Sequence, residues 1–207
     1  MEYKFLNEAI MKSLITTIFI FLFVISSNMQ AQQYNYILLD KSSMQIEGTS
    51  TIHDWTCDVQ EINADISFAV SEANISPVES LSLTVPVKKI ESGKGGMNKK
   101  IYEALKEKKH SNISFKLSTS EVATSGTNGN GSSFRLMANG MLSIAGVTRE
   151  ISFPVDGSVQ DNDTYKFAGN YEINMKDYNV DPPTAVFGTI KSGELVTVSF
   201  ELFIAKR

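Results

Sequence analysis

The chain has 207 residues with 19 basic and 23 acidic side chains, a formal charge of −4 that excludes the dense positive surface needed to hold nucleic acid. Its single cysteine, Cys57, excludes an intramolecular disulfide, so packing and strand pairing must hold the core. With hydrophobic residues at 42%, the length suits one well-buried domain and is short for two.

In chain order, Met1 to Lys12 is polar with a few charges, and an apolar run from Leu14 to Ile25, interrupted only by Thr16 and Thr17, follows it. That arrangement predicts a signal peptide over residues 1–31. The run is well below the roughly 20 residues of a membrane-spanning helix. Ala31 is the best candidate for the last residue removed, although Met29 fits the small-x-small rule poorly, and Met11 offers a second start. No cysteine follows the run, which argues against a lipid anchor. Residues 32–207 are then one domain, periplasmic or secreted.

From there the sequence alternates apolar and polar residues, the signature of strands with one dry face. Tyr34 to Asp40 and Ser43 to Ile52 are the first two strands, with a turn at Asp40-Lys41. Next comes Gly48-Thr-Ser-Thr-Ile-His53-Asp54-Trp55-Thr-Cys57. Ile62, Ala64, Ile66 and Phe68 alternate again, and Asn74 to Pro77 is read as a break. Leu81, Leu83, Val85 and Val87 form another dry face, with Pro86 on the opposite parity marking an edge or bulge. After the glycines at 93, 95 and 96, one helix is predicted from Asn98 to about Lys109, with Met97, Ile101, Ala104 and Leu105 on its apolar face. Ile113, Phe115 and Leu117 resume the strands, and Ser125 to Ser133 is read as a polar, mobile loop. Phe134 to Ala145 follows, then a tight connection at Gly146, a strand through Ile151, Phe153 and Val155, and a hairpin turn at Asp161-Asn162-Asp163. Phe167, Gly169, Tyr171, Ile173 and Met175 alternate once more. Asp177 to Ser192 is a long return loop, and Val196, Val198, Phe200, Leu202 and Ile204 give the last dry face. Many strands with a single helix must stack as a sandwich or close as a barrel.

Four landmarks in order carry a family likeness: Gly-Thr-Ser-Thr-Ile-His-Asp-Trp; Asn-Lys-Lys-Ile-Tyr-Glu-Ala-Leu before Ile113-Ser-Phe115; Gly140-x-Leu142-x-Ile144-x-Gly146-Val-Thr-Arg149; and Pro-Pro-Thr-x-x-Phe-Gly188. Over roughly Tyr36 to Lys206 the chain resembles the YceI-like family of exported bacterial proteins. The resemblance implies an all-β fold, a lipocalin-like antiparallel eight-stranded barrel with one short amphipathic helix. It also implies an interior that holds a long isoprenoid chain, such as a polyprenyl lipid or a quinone tail. One departure is the polar Thr-Cys after His-Asp-Trp, where better-known members commonly have small and apolar residues after the histidine.

An eight-stranded barrel is just wide enough to fill itself or to admit one slender ligand, so small inward residues decide between the two. Ala64, Ala138, Gly140 and Gly169 sit on the apolar parity and are read as leaving room. The expected lining is Phe68, Leu83, Val85, Phe115, Leu117, Leu142, Ile144, Phe153, Phe167, Tyr171, Phe200 and Leu202, each of which is equally well ordinary core. His53 either meets a head group at the barrel mouth or, more plainly, ties its hairpin to Asp54 or to backbone. Trp55 is a ligand contact or a barrel plug. His53 and Cys57 on a straight strand lie roughly 13 Å apart, too far to share a metal ion, and no metal or cofactor is expected.

Lys94 to His110 holds six lysines against two glutamates. It could make transient contact with anionic lipid, or be a solvated face with Lys106, Lys108 and Lys109 at the helix's negative end. Arg149 reads as a strand-edge salt bridge or a head-group contact. Catalytic motifs are missing, and no enzymatic activity is expected. The rival readings are a filled barrel that serves as a protein-interaction module, and an outer-membrane barrel. A homodimer is left open.

Overall fold

The computed structural model describes residues 33–207 except 72–73, 129–130, 162–163 and 186–187; at 33, 68–71, 74–77, 79, 124–128, 131–132, 161 and 185 it describes the backbone alone. The expected signal peptide lies outside the described residues.

The strands are β1 (Gln33–Leu38), β2 (Ser43–Ser50), β3 (Trp55–Val59), β4 (Asn63–Ser71), β5 (Asn74–Pro86), β6 (Ile90–Glu91), β7 (Asn112–Asn128), β8 (Gly131–Ile144), β9 (Val147–Asp161), β10 (Thr164–Asn174), β11 (Thr184–Ala185) and β12 (Ile190–Lys206). One helix, α1 (Gly95–Ala104), interrupts them. β1 runs on into β2 and β3 into β4, forming one long bent hairpin with Tyr36 opposite Ile66 and Ile46 opposite Cys57. Counting each bent pair as one strand, the order β1/β2, β3/β4, β5, β7, β8, β9, β10, β12 makes a ring of eight. Closure comes from β12, which pairs with β10 on one side and on the other with β1 (Leu38 opposite Ile204) and β2 (Gly48 opposite Val196). All of these pairings are antiparallel. The expected closed eight-stranded barrel is the observed fold.

Strand parity explains the core. Along β8, Phe134, Leu136, Ala138, Leu142 and Ile144 are buried, while Arg135 and Met141 between them are exposed. The turn from β8 to β9 puts Ala145 at φ 50° and Gly146 at φ 88°, the pair of positive angles that a tight hairpin connection requires. Glycine at 146 is needed twice over, because a Cβ there would lie 2.5 Å from the His110 ring. Pro86 pairs with Asn112 of β7 but lies beyond Thr84, the last β5 residue paired to β4, so its missing N–H falls where no ladder needs it.

Four expectations are corrected. Asn74 to Pro77 is strand: Asn74 faces Ser71 and Ile75 faces Val70, with register shifts near Phe68 absorbing the irregular spacing. Most of Ser125 to Ser133 is strand as well, with Gly126 opposite Ser133 and Asn128 opposite Gly131. Backbone pairing forms that ladder whatever the side chains, so a polar composition was a false sign of a loop. The return loop contains a small hairpin, Thr184 opposite Lys191, and β12 begins at Ile190. The helix ends five residues early. Lys106 takes the left-handed conformation at φ 56°, the Glu107 N–H donates to the Tyr102 carbonyl and the Lys106 N–H to that of Glu103. This is a Schellman stop with lysine where glycine is usual, so Lys106, Lys108 and Lys109 lie past the helix and not in its last turn.

Candidate functional site

The barrel encloses a cavity of about 630 Å3, within the range of roughly 300–1,000 Å3 typical of small-molecule sites. Even-numbered residues of β12 from Ile190 to Ile204, Glu194 excepted, line it, a strand path of roughly 45 Å at about 3.3 Å per residue. The space is therefore elongated. At its lower end the wall reaches Ile66 and Ile204, which cluster with Tyr36 and Tyr165, and the two tyrosine rings meet edge to face at 5.7 Å. At its upper end it meets the surface between three segments: the β2–β3 tip with Ile52 and His53, the start of α1 with Lys94, Gly96 and Lys100, and the return segment with Pro183, Thr184 and Ser192. α1 packs over this end through Ile101, which is buried with Cys57, Val85 and Ile90.

The expected lining residues Leu83, Val85, Phe115, Leu117, Leu142, Ile144, Phe153, Phe167, Tyr171, Phe200 and Leu202 all border the cavity, as do His53 and Trp55. The Phe68 side chain lies outside the described residues. Sequence reasoning passed over Leu136, Val155, Ile173, Val196 and Val198, which border it too. They carry the same inward parity as the residues chosen, and that signal was sufficient to find them.

Three readings of small residues change. Gly140 and Gly169 do not leave open space, because neighbouring rings cover them. A Cβ on Gly140 would lie 2.5 Å from the Lys116 carbonyl and 2.6 Å from the Phe115 ring, and one on Gly169 would lie 2.9 Å from the Phe200 ring. Aromatic cover of a strand glycine comes from the adjacent strand. Ala64 belongs to the lower cluster and not to the cavity wall. Ala138 does border the space. Phe153 is the hub of the wall, with Phe115 at 5.6 Å, Tyr171 at 5.5 Å and Phe200 at 6.2 Å between ring centroids.

The polar groups are quiet. The His53 Nδ1 bonds to the Asp54 carbonyl at 2.8 Å and the Ser50 hydroxyl donates to the His53 carbonyl at 2.7 Å, so the histidine braces its hairpin tip while bordering the mouth. Trp55 donates its indole N–H to the Thr49 carbonyl at 2.9 Å, and its ring lies so close over Gly48 that a Cβ there would be 2.2 Å away. Burial, with Asp58 adding to it, pushes the Cys57 thiol up to about 11, leaving it protonated and a poor nucleophile at neutral pH. The Tyr178 phenol, pushed up to about 12 chiefly by burial, has no hydrogen-bond partner among the described residues. Arg149 stands outside the cavity wall and donates to the Asp177 carbonyl, tying β9 to the 3-10 turn after β10. Such a wall offers dispersion contacts and removal from water, the interactions that an apolar chain needs.

Comparison with known proteins agrees with this architecture. BcnA of Burkholderia cenocepacia superimposes with a TM-score of 0.61 at 18% identity, over 79% of this chain and 96% of that one. A polyisoprenoid binding domain from Saccharophagus degradans, implicated in plant cell wall breakdown, gives 0.61 at 13% identity over 84% and 99%. The Campylobacter jejuni YceI protein gives 0.51 at 17% identity over 73% and 84%. At these identities the likeness is one of fold. No curated protein matches the chain. A YceI-like domain matches residues 34–204, nearly the whole described barrel, and the chain belongs to the YceI-like family.

Proposed function

We propose that this protein, exported by removal of an N-terminal signal peptide, holds a long isoprenoid amphiphile in its barrel and sequesters or carries it without chemical conversion. A polyprenyl lipid or a quinone is the ligand class. The observation that carries this reading is the apolar cavity of about 630 Å3 running along β12 and open at one end. At about 24 cal/mol per Å3, a void of that size left empty would cost on the order of 15 kcal/mol, comparable to the whole stability of a domain. Water gains little by filling it, because an apolar wall offers few hydrogen bonds. An apolar guest relieves both penalties. At about 0.8 kcal/mol for each buried methylene, a few isoprene units suffice for tight binding without any polar contact to the tail.

The exterior supports this reading over a membrane barrel. Arg135 pairs with Asp156 at 2.6 Å and Lys166 with Glu201 at 2.5 Å, on the outward faces of neighbouring strands where a membrane barrel would meet lipid. The cavity weighs against a filled barrel acting only as an interaction module. The test is organic extraction of the purified protein, expressed in its own kind of cell, followed by mass spectrometry. An isoprenoid in stoichiometric amount is expected, and an extract free of apolar ligand would overturn the proposal.

A further inference from the structure

The cavity meets the surface at the upper end, and that end carries charge out of keeping with the rest of the molecule. Between Val87 and Ser111 eight lysines face three glutamates, a formal +5, so the remainder of a chain at −4 carries −9. Intramolecular pairing accounts for little of this. Lys88 sits 3.5 Å from Glu107, Lys89 sits 3.4 Å from Glu61, and Lys106 donates to the Asn179 carbonyl. Lys94, Lys99, Lys100, Lys108 and Lys109 are exposed and have no acidic partner among the described residues. Lys94 and Lys100 stand at the mouth itself. Lys191 joins them, because the Thr51 N–H donates to its carbonyl and holds the hairpin tip beside the start of β12. No acidic residue borders the cavity among the described residues; Glu91 and Glu103 lie in the lysine-rich segment, Asp54 follows the tip, and Asp181 and Glu194 flank the return segment.

The tip carries a second, independent feature. Ile52, 62% exposed, is the most exposed large hydrophobic residue described, and it borders the cavity. It rides on a turn made stiff by the Ser50 hydroxyl, which accepts from the N–H groups of Ile52 and His53. An apolar side chain held out into water beside a greasy opening, ringed by unpaired lysines, is matched by one kind of surface: anionic head groups over hydrocarbon. No described helix is long and apolar enough to cross a membrane.

We infer that the mouth end docks on an anionic phospholipid bilayer, with the lysines of the 87–111 segment on the head groups and Ile52 among them. A ligand then passes between bilayer and cavity without its tail crossing water. This rests on the lipid-carrier reading for its purpose and is tested separately from it. The experiment is co-sedimentation of the purified protein with vesicles of phosphatidylcholine alone or with about one third phosphatidylglycerol, at low and at high salt. Binding is expected to the phosphatidylglycerol vesicles only and to vanish near 1 M salt, where the screening length falls to about 3 Å.

The triple variant Lys99→Glu, Lys108→Glu, Lys109→Glu turns the segment from +5 to −1 without touching the cavity wall. At about fivefold per lysine it should weaken vesicle binding by far more than tenfold, while isoprenoid extracted with it stays at the wild-type amount. Ile52→Ser should weaken vesicle binding severalfold. No preference for phosphatidylglycerol, or undiminished binding by the triple variant, would overturn the inference whatever lipid the cavity holds. Anionic-vesicle binding by a protein whose extract holds no isoprenoid would instead overturn the carrier reading and leave the docking surface standing.

Discussion

At the lower end of the barrel the ladders run to their last residues, Ser71 facing Asn74 and Asn128 facing Gly131, and two residues join each pair of strands. Tyr36 and Tyr165 pack there with the buried Ile66 and Ile204. At the upper end the same strands return through two long connections, 87–111 and 175–189, and the wall is shared by a helix, a hairpin tip and a return segment. One end is held by local pairing and ring packing. The other is assembled from segments distant in the chain, and only such an end can be left ajar without unzipping a strand.

The largest effect is expected from breaking the lower end. Tyr165→Ala removes a 5% exposed ring from the floor and should cost about 3–5 kcal/mol, read as a shift of the denaturation midpoint. Its counterpart at the open end, Ile52→Ser, should stay within about 0.5 kcal/mol, because the residue packs little. Equal losses would mean that the two ends are equally structural. A change midway sharpens the contrast between bore and core. Ala138→Trp places a large ring in the space between the ends and should weaken binding of an isoprenoid probe about 100-fold, the loss of a few buried methylenes. Its stability should stay near wild type. In a barrel already filled, the same ring would cost at least about 1–3 kcal/mol.

The contrast between ends also marks what the sequence made legible. Parity along β8 and β12 revealed a sheet with one dry face and nearly every expected wall residue, because inward and outward positions differ in solvation and composition records solvation, whereas closure was expected only from the family likeness. Register leaves no such trace. Nothing near Gly140 in the chain shows that Phe115 of β7 lies over it, so a glycine read as space proved to be covered. The strand from Ser125 onward was invisible for a related reason, since its hydrogen bonds belong to the backbone. Lys106 gave no warning that it would end α1, because a lysine seldom takes the left-handed turn. The mouth was the least legible part. Ile52, Lys94, Lys100 and Thr184 meet only through tertiary folding, and the usable signs were a histidine assigned to the mouth and the lysine-rich run from Lys94 to His110.

Matched glycines at the two ends allow a finer test. Gly157 lies under the Phe134 ring at the lower end and Gly48 under the Trp55 ring at the upper, each so close that a Cβ would be 2.2 Å from the ring. Gly157→Ala and Gly48→Ala should each cost about 1–3 kcal/mol, since a ring must move either way. Only Gly48→Ala shifts a residue at the mouth, so it alone should speed ligand release, followed by stopped-flow fluorescence of an isoprenoid probe. Faster release from both variants would remove the distinction between the ends.

The smallest effect concerns Cys57, buried beneath α1 at the upper end. Its pKa of about 11 when folded stands above the ordinary thiol value, so between those values the unfolded chain has lost a proton that the folded chain keeps. Stability from this group is complete below the unfolded pKa and falls as pH rises through about 11. Cys57→Ala should flatten that part of the alkaline decline in a denaturation series. The thiol also reports how the upper end moves. At pH 8 a thiol reagent should label the native protein slowly, because a 1% exposed, protonated sulfur reacts only after local opening. If α1 lifts as a unit, the labelling rate will be nearly independent of low denaturant and will drop when isoprenoid is bound. A rate that follows global unfolding would mean that the upper end is as firmly closed as the lower, leaving a buried tail no route out.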